Sequence, residues 1–593
     1  MRPLRILFCI VLLTPFAFGQ SGTTPPSSQT GSSTQDSTQQ PQNPLNDQLQ
    51  TPPQDTGKPK QQTSSFNLGD TSSGQDTSLG EVRLMIRNTE INGDQTRSFL
   101  SPGLNRLGEF NYYADHSFIG TRRIQFLAMY RGTNDRSIDP EHNSLQKGYL
   151  RIFGPRDEYV FGDVLVNFSR MSFNQNIKGV SAAWKLGKKW KLSTVGGVYT
   201  DRWGSLYKPF SETPNRPYTS GVAGARLEVN PTRGTSLGFN FSSAEDMLGS
   251  LPATPAGTPP LPSSNRLGSV DGHLQYKQLR INGEFAESAT IFDKRTNEGF
   301  VNDWSTDVEG SWRHNRLAMR AAYVRFQPNF SSFNARQTVD LQDWLIRPSY
   351  DLTDWLTVDG TIRRSNNNLA GQLPYGMITW GPEGRFIFHN LSFYRRGTFE
   401  IGYRHRLTTA TDNSIHHYVR DPYAEFTMPY KSTFFTIGYE QRRAIDDRNP
   451  AQSSNTNRVY VSLRGIYDIG GWNFNPQLRW ELERQGSRPQ LPVLYPLEYD
   501  SNRLGTVSLY AEAPKWFIIE LDFRDASATI LGPAGYSRPS YAAAVTYKIA
   551  NDENKKLIFS FTRNSNFYFP PSPSFDERVY GVTFVYRFGH RGR

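Results

Sequence analysis

The chain of 593 residues is only 36% hydrophobic, with a mean hydropathy of −0.60, yet 13% of it is aromatic. That combination excludes a disordered chain, which lacks rings, and fits poorly with a soluble core, which takes more Leu, Ile and Val; it suits a structure with one apolar and one polar face throughout. The formal charge of +11 is spread along the chain and mixed in sign, which argues against nucleic acid as a partner.

Residues 1–19 read as a signal peptide. Arg2 and Arg5 supply a positive start, Ile6 to Phe18 an apolar run too short to span a membrane as a helix, and Ala17-Phe18-Gly19 a small-residue cut before Gln20. The single cysteine, Cys9, lies inside that run, so the mature chain is expected to have neither disulfides nor thiolate metal sites. Residues 20–78 are Ser, Thr, Gln, Pro and Gly with almost no large apolar side chain. Such a segment cannot bury enough surface to offset its ordering entropy, and is expected to be a disordered periplasmic spacer or a tether to a periplasmic or cell-wall partner.

From 79 to 588 the chain changes to one repeated unit: runs that alternate apolar and polar, broken by Gly, Pro, Asn and Asp. The segments near 81–175 are weak, and 189–200 is mixed on both faces. Further on, Phe399, Ile401, Tyr403 and Leu407 oppose Glu400, Arg404 and Arg406. In Trp472 to Glu483, Trp472, Phe474, Pro476, Leu478, Trp480 and Leu482 oppose Asn473, Asn475, Gln477, Arg479, Glu481 and Glu483, a segregation no helix achieves. Pro476 inside a strand predicts a bulge or a missing hydrogen bond. Phe517, Ile519, Leu521 and Phe523 oppose Glu520, Asp522 and Arg524. Short turns near 187–188, 277–278, 314–315, 353–354, 429–430, 470–471 and 513–514 alternate with long loops such as 244–266 and 485–501. This is the asymmetry of an outer-membrane barrel with its short side in the periplasm. The count predicts an all-β, large, closed antiparallel transmembrane β-barrel of about 26 strands, with 22 to 26 as the range, and an even number puts both termini in the periplasm.

The last strand runs Glu577 to Phe588, with Tyr580, Val582, Phe584, Tyr586 and Phe588 on one face, before a short basic tail, 589–593. Gly581, Phe584, Tyr586 and Phe588 resemble the C-terminal assembly signal of Gram-negative outer-membrane β-barrel proteins. The resemblance implies a client of the barrel-assembly machinery, porin-like and in contact with outer-membrane lipid. It reaches no one barrel family: the polar leader is too short for the plug of a TonB-dependent receptor, and the cysteines of a lipopolysaccharide-assembly barrel are missing.

No enzyme motif is present: there is no Gly-x-Ser-x-Gly, no His-Glu-x-x-His and no Cys-x-x-Cys-His. His416-His417 is no metal pair, because strand neighbours point to opposite faces. No cofactor and no metal are expected. The polar face supplies the candidate lumen lining: Glu400, Arg404, Arg406, Arg464, Asp468, Arg479, Glu481, Glu483, Glu520, Asp522 and Arg524. These charges must face water or each other, since an Arg or Lys against lipid at the midplane costs roughly 2–4 kcal/mol. The expected function is a channel for hydrophilic solutes, narrowed by loops 244–266 and 485–501 folding inward; the alternative is a sheath or secretion scaffold around a partner protein.

Overall fold

A computed structural model describes residues 76–591 except 210–217, 252–260, 297, 333–338, 392–395, 449–452, 488–499, 514, 530–535 and 569–572. The stretches read as a signal peptide and a polar leader lie outside the described residues as far as residue 75. The first strand is Thr77–Gly93 and the last is Phe575–Arg591, so Gly589, His590 and Arg591 extend the final strand.

All strands belong to one antiparallel sheet. Ser454–Gly465 and Tyr467–Ile469 are two pieces of one strand, because both pair with Trp472–Ser487; the total is therefore 26 strands. The first strand pairs with the last from Thr77↔Arg591 to Gly93↔Phe575, which closes the sheet on itself. The interruption lies opposite Pro476. Pairing holds at Arg464↔Gln477 and resumes at Tyr467↔Phe474, as expected where a proline has no N–H to offer.

Over most of the chain, connections alternate in length. At the short end, two-residue turns at 277–278, 315–316 and 431–432 place Lys277, Asn315 and Lys431 at φ of 52°, 51° and 50°, the conformation a tight hairpin demands. At the other end lie the long connections, among them 200–219 and 327–340. Thr77 and Arg591 both stand at the short-turn end.

The two faces of the sheet separate as the sequence pattern dictates. Ile401, Tyr403, Trp480, Leu521, Tyr580 and Val582 are all between 42% and 45% exposed, although strongly apolar or aromatic. A closed barrel turns this side to lipid and the polar side inward.

Candidate functional site

One hairpin leaves the wall. The strand Asp157–Asn167 pairs with its preceding neighbour only as far as Tyr149↔Gly162. The strand Asn174–Leu186 pairs with its following neighbour only from Lys178↔Val198. Between these limits, residues 163–167 and 174–177 pair only with each other. The departure follows a row of glycines in register: Gly162↔Gly179 and Gly179↔Gly197. Gly162 has φ of +103°, and a Cβ on Gly179 would overlap the Gly196 carbonyl and stand 2.7 Å from Gly197 Cα. Only glycine permits backbones this close, so the row acts as a crease.

Beyond the crease the hairpin folds over the inner side of the next strands. Val164, Val166, Phe168, Phe173 and Ile177 form one buried cluster with Val195, Val222 and Ala244 of the wall. The Phe168 and Phe173 rings meet edge to face at 5.8 Å and cover Gly224, where a Cβ would stand 2.9 Å from Phe173. The tip reaches farther along the wall. Ser169 Oγ donates to Glu284 at 2.6 Å, the Met171 amide donates to the same carboxylate at 3.2 Å, and Arg170 pairs with Asp307. The opposite face of the hairpin is left open, with Leu165 69% exposed and Asn167, Asn174 and Asn176 beside it.

The crease is also locked from outside. Asp163 and Lys178 pair at 3.3 Å, both buried; Asp163 further accepts from Trp203 Nε1 at 2.7 Å and from the Gly148 amide at 2.6 Å. Trp203 precedes a one-turn helix, Gly204–Tyr207, whose following Lys208 donates to the Asn143 carbonyl at 2.6 Å and reaches buried Glu141 at 3.2 Å. The 200–208 segment thus occupies the gap that the hairpin vacates.

Elsewhere the polar face of the sheet carries a chain of alternating charges. Arg404 bridges Asp421 at 3.1 Å and Glu440 at 2.9 Å; Arg458 bridges Glu440 at 3.5 Å and Glu481 at 2.7 Å; Arg479 caps Glu481 at 3.0 Å. Arg385 joins Asp359 at 2.7 Å and Glu400 at 3.3 Å in the same way. Two tyrosines brace this wall. Tyr423 lies across its cross-strand partner Gly402 and donates to Glu400 at 2.6 Å; Tyr460 lies across Gly438 and donates to Glu425.

Of the sequence candidates, Glu400, Arg404, Arg479 and Glu481 fall within these networks. Glu483 accepts from Asn502 at 3.3 Å and Asp468 from Asn473 at 3.2 Å, outside the ion-pair chain. Arg406, Arg464, Asp522 and Arg524 share the polar face but make no ion pair among the described residues; Arg406 lies in the field of Arg442. Glu520 stands opposite Tyr510. Sequence reading missed Asp421, Glu440 and Arg458, whose strands alternate less cleanly, and missed the hairpin entirely. It placed the inward fold at 244–266 and 485–501, where 252–260 and 488–499 lie outside the described residues; the inward-folded element observed is 163–178. Gly581, Phe584, Tyr586 and Phe588 lie in the closing strand, and the Phe588 ring covers Gly80 of the first. His416 hydrogen-bonds Asp447 at 2.7 Å, and no group of metal-ligating side chains occurs among the described residues.

No family model matches the chain. It is 32% identical to Porin AaxA of Chlamydia trachomatis, in serovar L2 and serovar D strains, over 85 residues; the match spans 14% of this chain and only 18% of those porins. Among solved structures it is similar to OprD of Pseudomonas aeruginosa, with 13% identity, TM-score 0.29, and coverage of 56% of this chain and 89% of that one. It is also similar to the siderophore receptor PirA of the same organism, with 10% identity, TM-score 0.38, and coverage of 86% and 80%.

Proposed function

We propose that this porin-like outer-membrane β-barrel passes hydrophilic solutes along its charged inner wall, and that the 163–178 hairpin sets the width of the path. The hairpin carries this reading. A ring of this many strands has a wide interior, and here one piece of the wall is creased at three glycines and laid across the inner side. A barrel that served only as an anchor would have no use for that arrangement.

The chemistry of the wall supports a wet interior. Asp421, Arg404, Glu440, Arg458, Glu481 and Arg479 alternate in sign and compensate one another, so they stiffen the wall. The charges left over, Arg406, Arg464, Asp522 and Arg524, then bias which solutes pass. The short-turn end with both termini is assigned to the periplasm. The barrel-assembly machinery is the proposed reader of the closing strand, and the polar leader is the proposed contact to a periplasmic or cell-wall partner.

Purified barrel in planar bilayers is expected to conduct ions, and proteoliposomes to swell in neutral sugars up to a size limit. Replacing residues 164–177 by a short turn is expected to raise both the conductance and the limit. A folded barrel that stays electrically silent and retains a co-purifying protein would overturn the channel in favour of a sheath.

A further inference from the structure

The lipid-facing side of the wall carries its own charges, and they are not distributed like those inside. Arg325, Arg364 and Arg420 share the face of exposed Met319, Ile362 and Tyr403, within four residues of the long-loop ends of their strands. Each lies over an aromatic ring: Arg325 over Trp304 at 5.2 Å, Arg364 over Trp380 at 5.5 Å, Arg420 over Tyr418 at 5.1 Å. Trp344 abuts Trp380 edge to face at 5.4 Å, and cross-strand register makes one row of Trp344, Arg364, Trp380, Leu407 and Tyr418.

Among the described residues these guanidiniums have no counter-ion. None makes an ion pair with a carboxylate among the described residues, and the Nε atoms of Arg325 and Arg364 are buried without a hydrogen-bond partner. Arg443, also without an ion pair among the described residues, stands directly opposite Arg420 in the ladder. Two like charges side by side on a lipid-facing surface repel, unless an anion sits between them. The ring contacts hold the guanidiniums of Arg325, Arg364 and Arg420 against the wall. The short-turn end differs in kind: there Lys277, Lys431 and Lys555 lie over Tyr276, Tyr430 and Tyr586. Lysine ammonium groups snorkel to water on flexible stems, whereas a stacked arginine presents a fixed, bidentate donor set that matches phosphate.

We propose that Arg325, Arg364, Arg420 and Arg443 form a binding row for the phosphate groups of a phosphorylated lipid in the leaflet surrounding the long loops. The spacing suits more than one phosphate. Arg325 and Arg364 are two strands apart, about 10 Å; Arg420 and Arg443 are on adjacent strands, about 5 Å. The site lies on the outer wall and is independent of what passes through the lumen.

The test uses the full barrel in nanodiscs of zwitterionic phosphatidylcholine, doped with a diphosphorylated glycolipid or its phosphate-free counterpart. Retained lipid is counted by native mass spectrometry, and heat-dependent gel mobility verifies the fold. The phosphorylated lipid is expected to be retained and the phosphate-free one not. The triple variant Arg364→Gln, Arg420→Gln, Arg443→Gln is expected to lower retention about tenfold or more, while Lys277→Gln with Lys431→Gln leaves it unchanged. Equal retention of the phosphate-free lipid, native-like retention by the folded triple variant, or an equal loss in the lysine variant would overturn the assignment. A further arm adds inorganic phosphate alone. Millimolar phosphate stabilising the native barrel but not the triple variant, with no preference for the phosphorylated lipid, would make the row a free-phosphate site and likewise refute the lipid.

Discussion

Truncating the two rings that hold the hairpin, Phe168→Ala with Phe173→Ala, should release it from the wall. Phe173 is fully buried and Phe168 only 9% exposed. Each loss alone is of the order of 3–5 kcal/mol for a buried phenylalanine. The rings touch, so the two costs do not add, and about 5 kcal/mol for the pair is a working figure. At about 1.4 kcal/mol per factor of ten, the docked-to-undocked ratio falls several-thousand-fold. The tip contacts of Ser169 and Met171 with Glu284 and of Arg170 with Asp307 remain, but at roughly 0.5–1.5 kcal/mol net apiece they do not compensate. The barrel itself survives, because the ladder up to Gly162 on one side and from Lys178 on the other is untouched. Single-channel recording is the assay. Conductance should rise and the open level become noisier, with gel mobility as in the native barrel. An unchanged trace from a folded double variant would show that this hairpin does not limit the path.

Other perturbations approach the same parts from different sides. Gly224→Val pushes from the wall into Phe168 and Phe173, and should reproduce the raised conductance without altering the hairpin's own sequence. Gly438→Ala puts a methyl where the Tyr460 ring lies and should lower the temperature at which the barrel loses its folded gel mobility. Arg458→Gln leaves Glu440 and Glu481 short of a shared cation; the lumen gains negative charge, and reversal potentials in a salt gradient should move toward cation selectivity. In the 134–142 connection, burial raises the pKa of Asp135, but hydrogen bonds from Ser101 and Ser137 and the charge of Arg87 outweigh it and hold the carboxyl below its usual range. A depressed folded value stabilises above the unfolded pKa, about 3.9, and that stability is lost as pH falls through the folded value. The stability gap between native and Asp135→Asn should therefore be constant from neutral pH to about 4 and close below it.

Most of the wall was legible because period-two alternation reports burial directly. In Trp472 to Glu483 and in Phe517 to Arg524, every second side chain meets lipid and every other one meets its neighbours inside, so the two sets separate in sequence as in space. Long loops and short turns then supplied the strand count. The hairpin was illegible for a physical reason. Val164, Leu165 and Val166 are apolar in succession, because one face of the folded-in hairpin packs on the wall while Leu165 stands on the other. A strand that is no longer between lipid and water loses the pattern that would reveal it. The ion-pair chain was half legible: Arg404, Arg479 and Glu481 could be assigned to a face, but pairing them through Glu440 and Arg458 requires the register of five strands, which alternation alone does not contain.

Folding a piece of the wall inward, and not a loop, carries a structural cost that the remaining contacts answer. Lifting residues 163–177 out of the ladder opens a gap whose backbone groups lose their strand partners, and such groups must be satisfied where water is scarce. Asp163 takes the Gly148 amide, replacing a lost ladder bond, while Lys178 neutralises the carboxylate and Trp203 donates to it. Lys208 takes the Asn143 carbonyl farther along the same strand edge. The glycine crease, the buried ion pair at its neck and the 200–208 segment have one geometric condition in common: each is needed only if the hairpin is folded inward. A hairpin that belonged in the wall would need no glycine at all three positions of the row, no buried ion pair at its neck and no loop to fill its place. The coincidence of all three argues that the inward position is the one this sequence specifies, and that opening the path further requires undoing contacts on both sides of the crease.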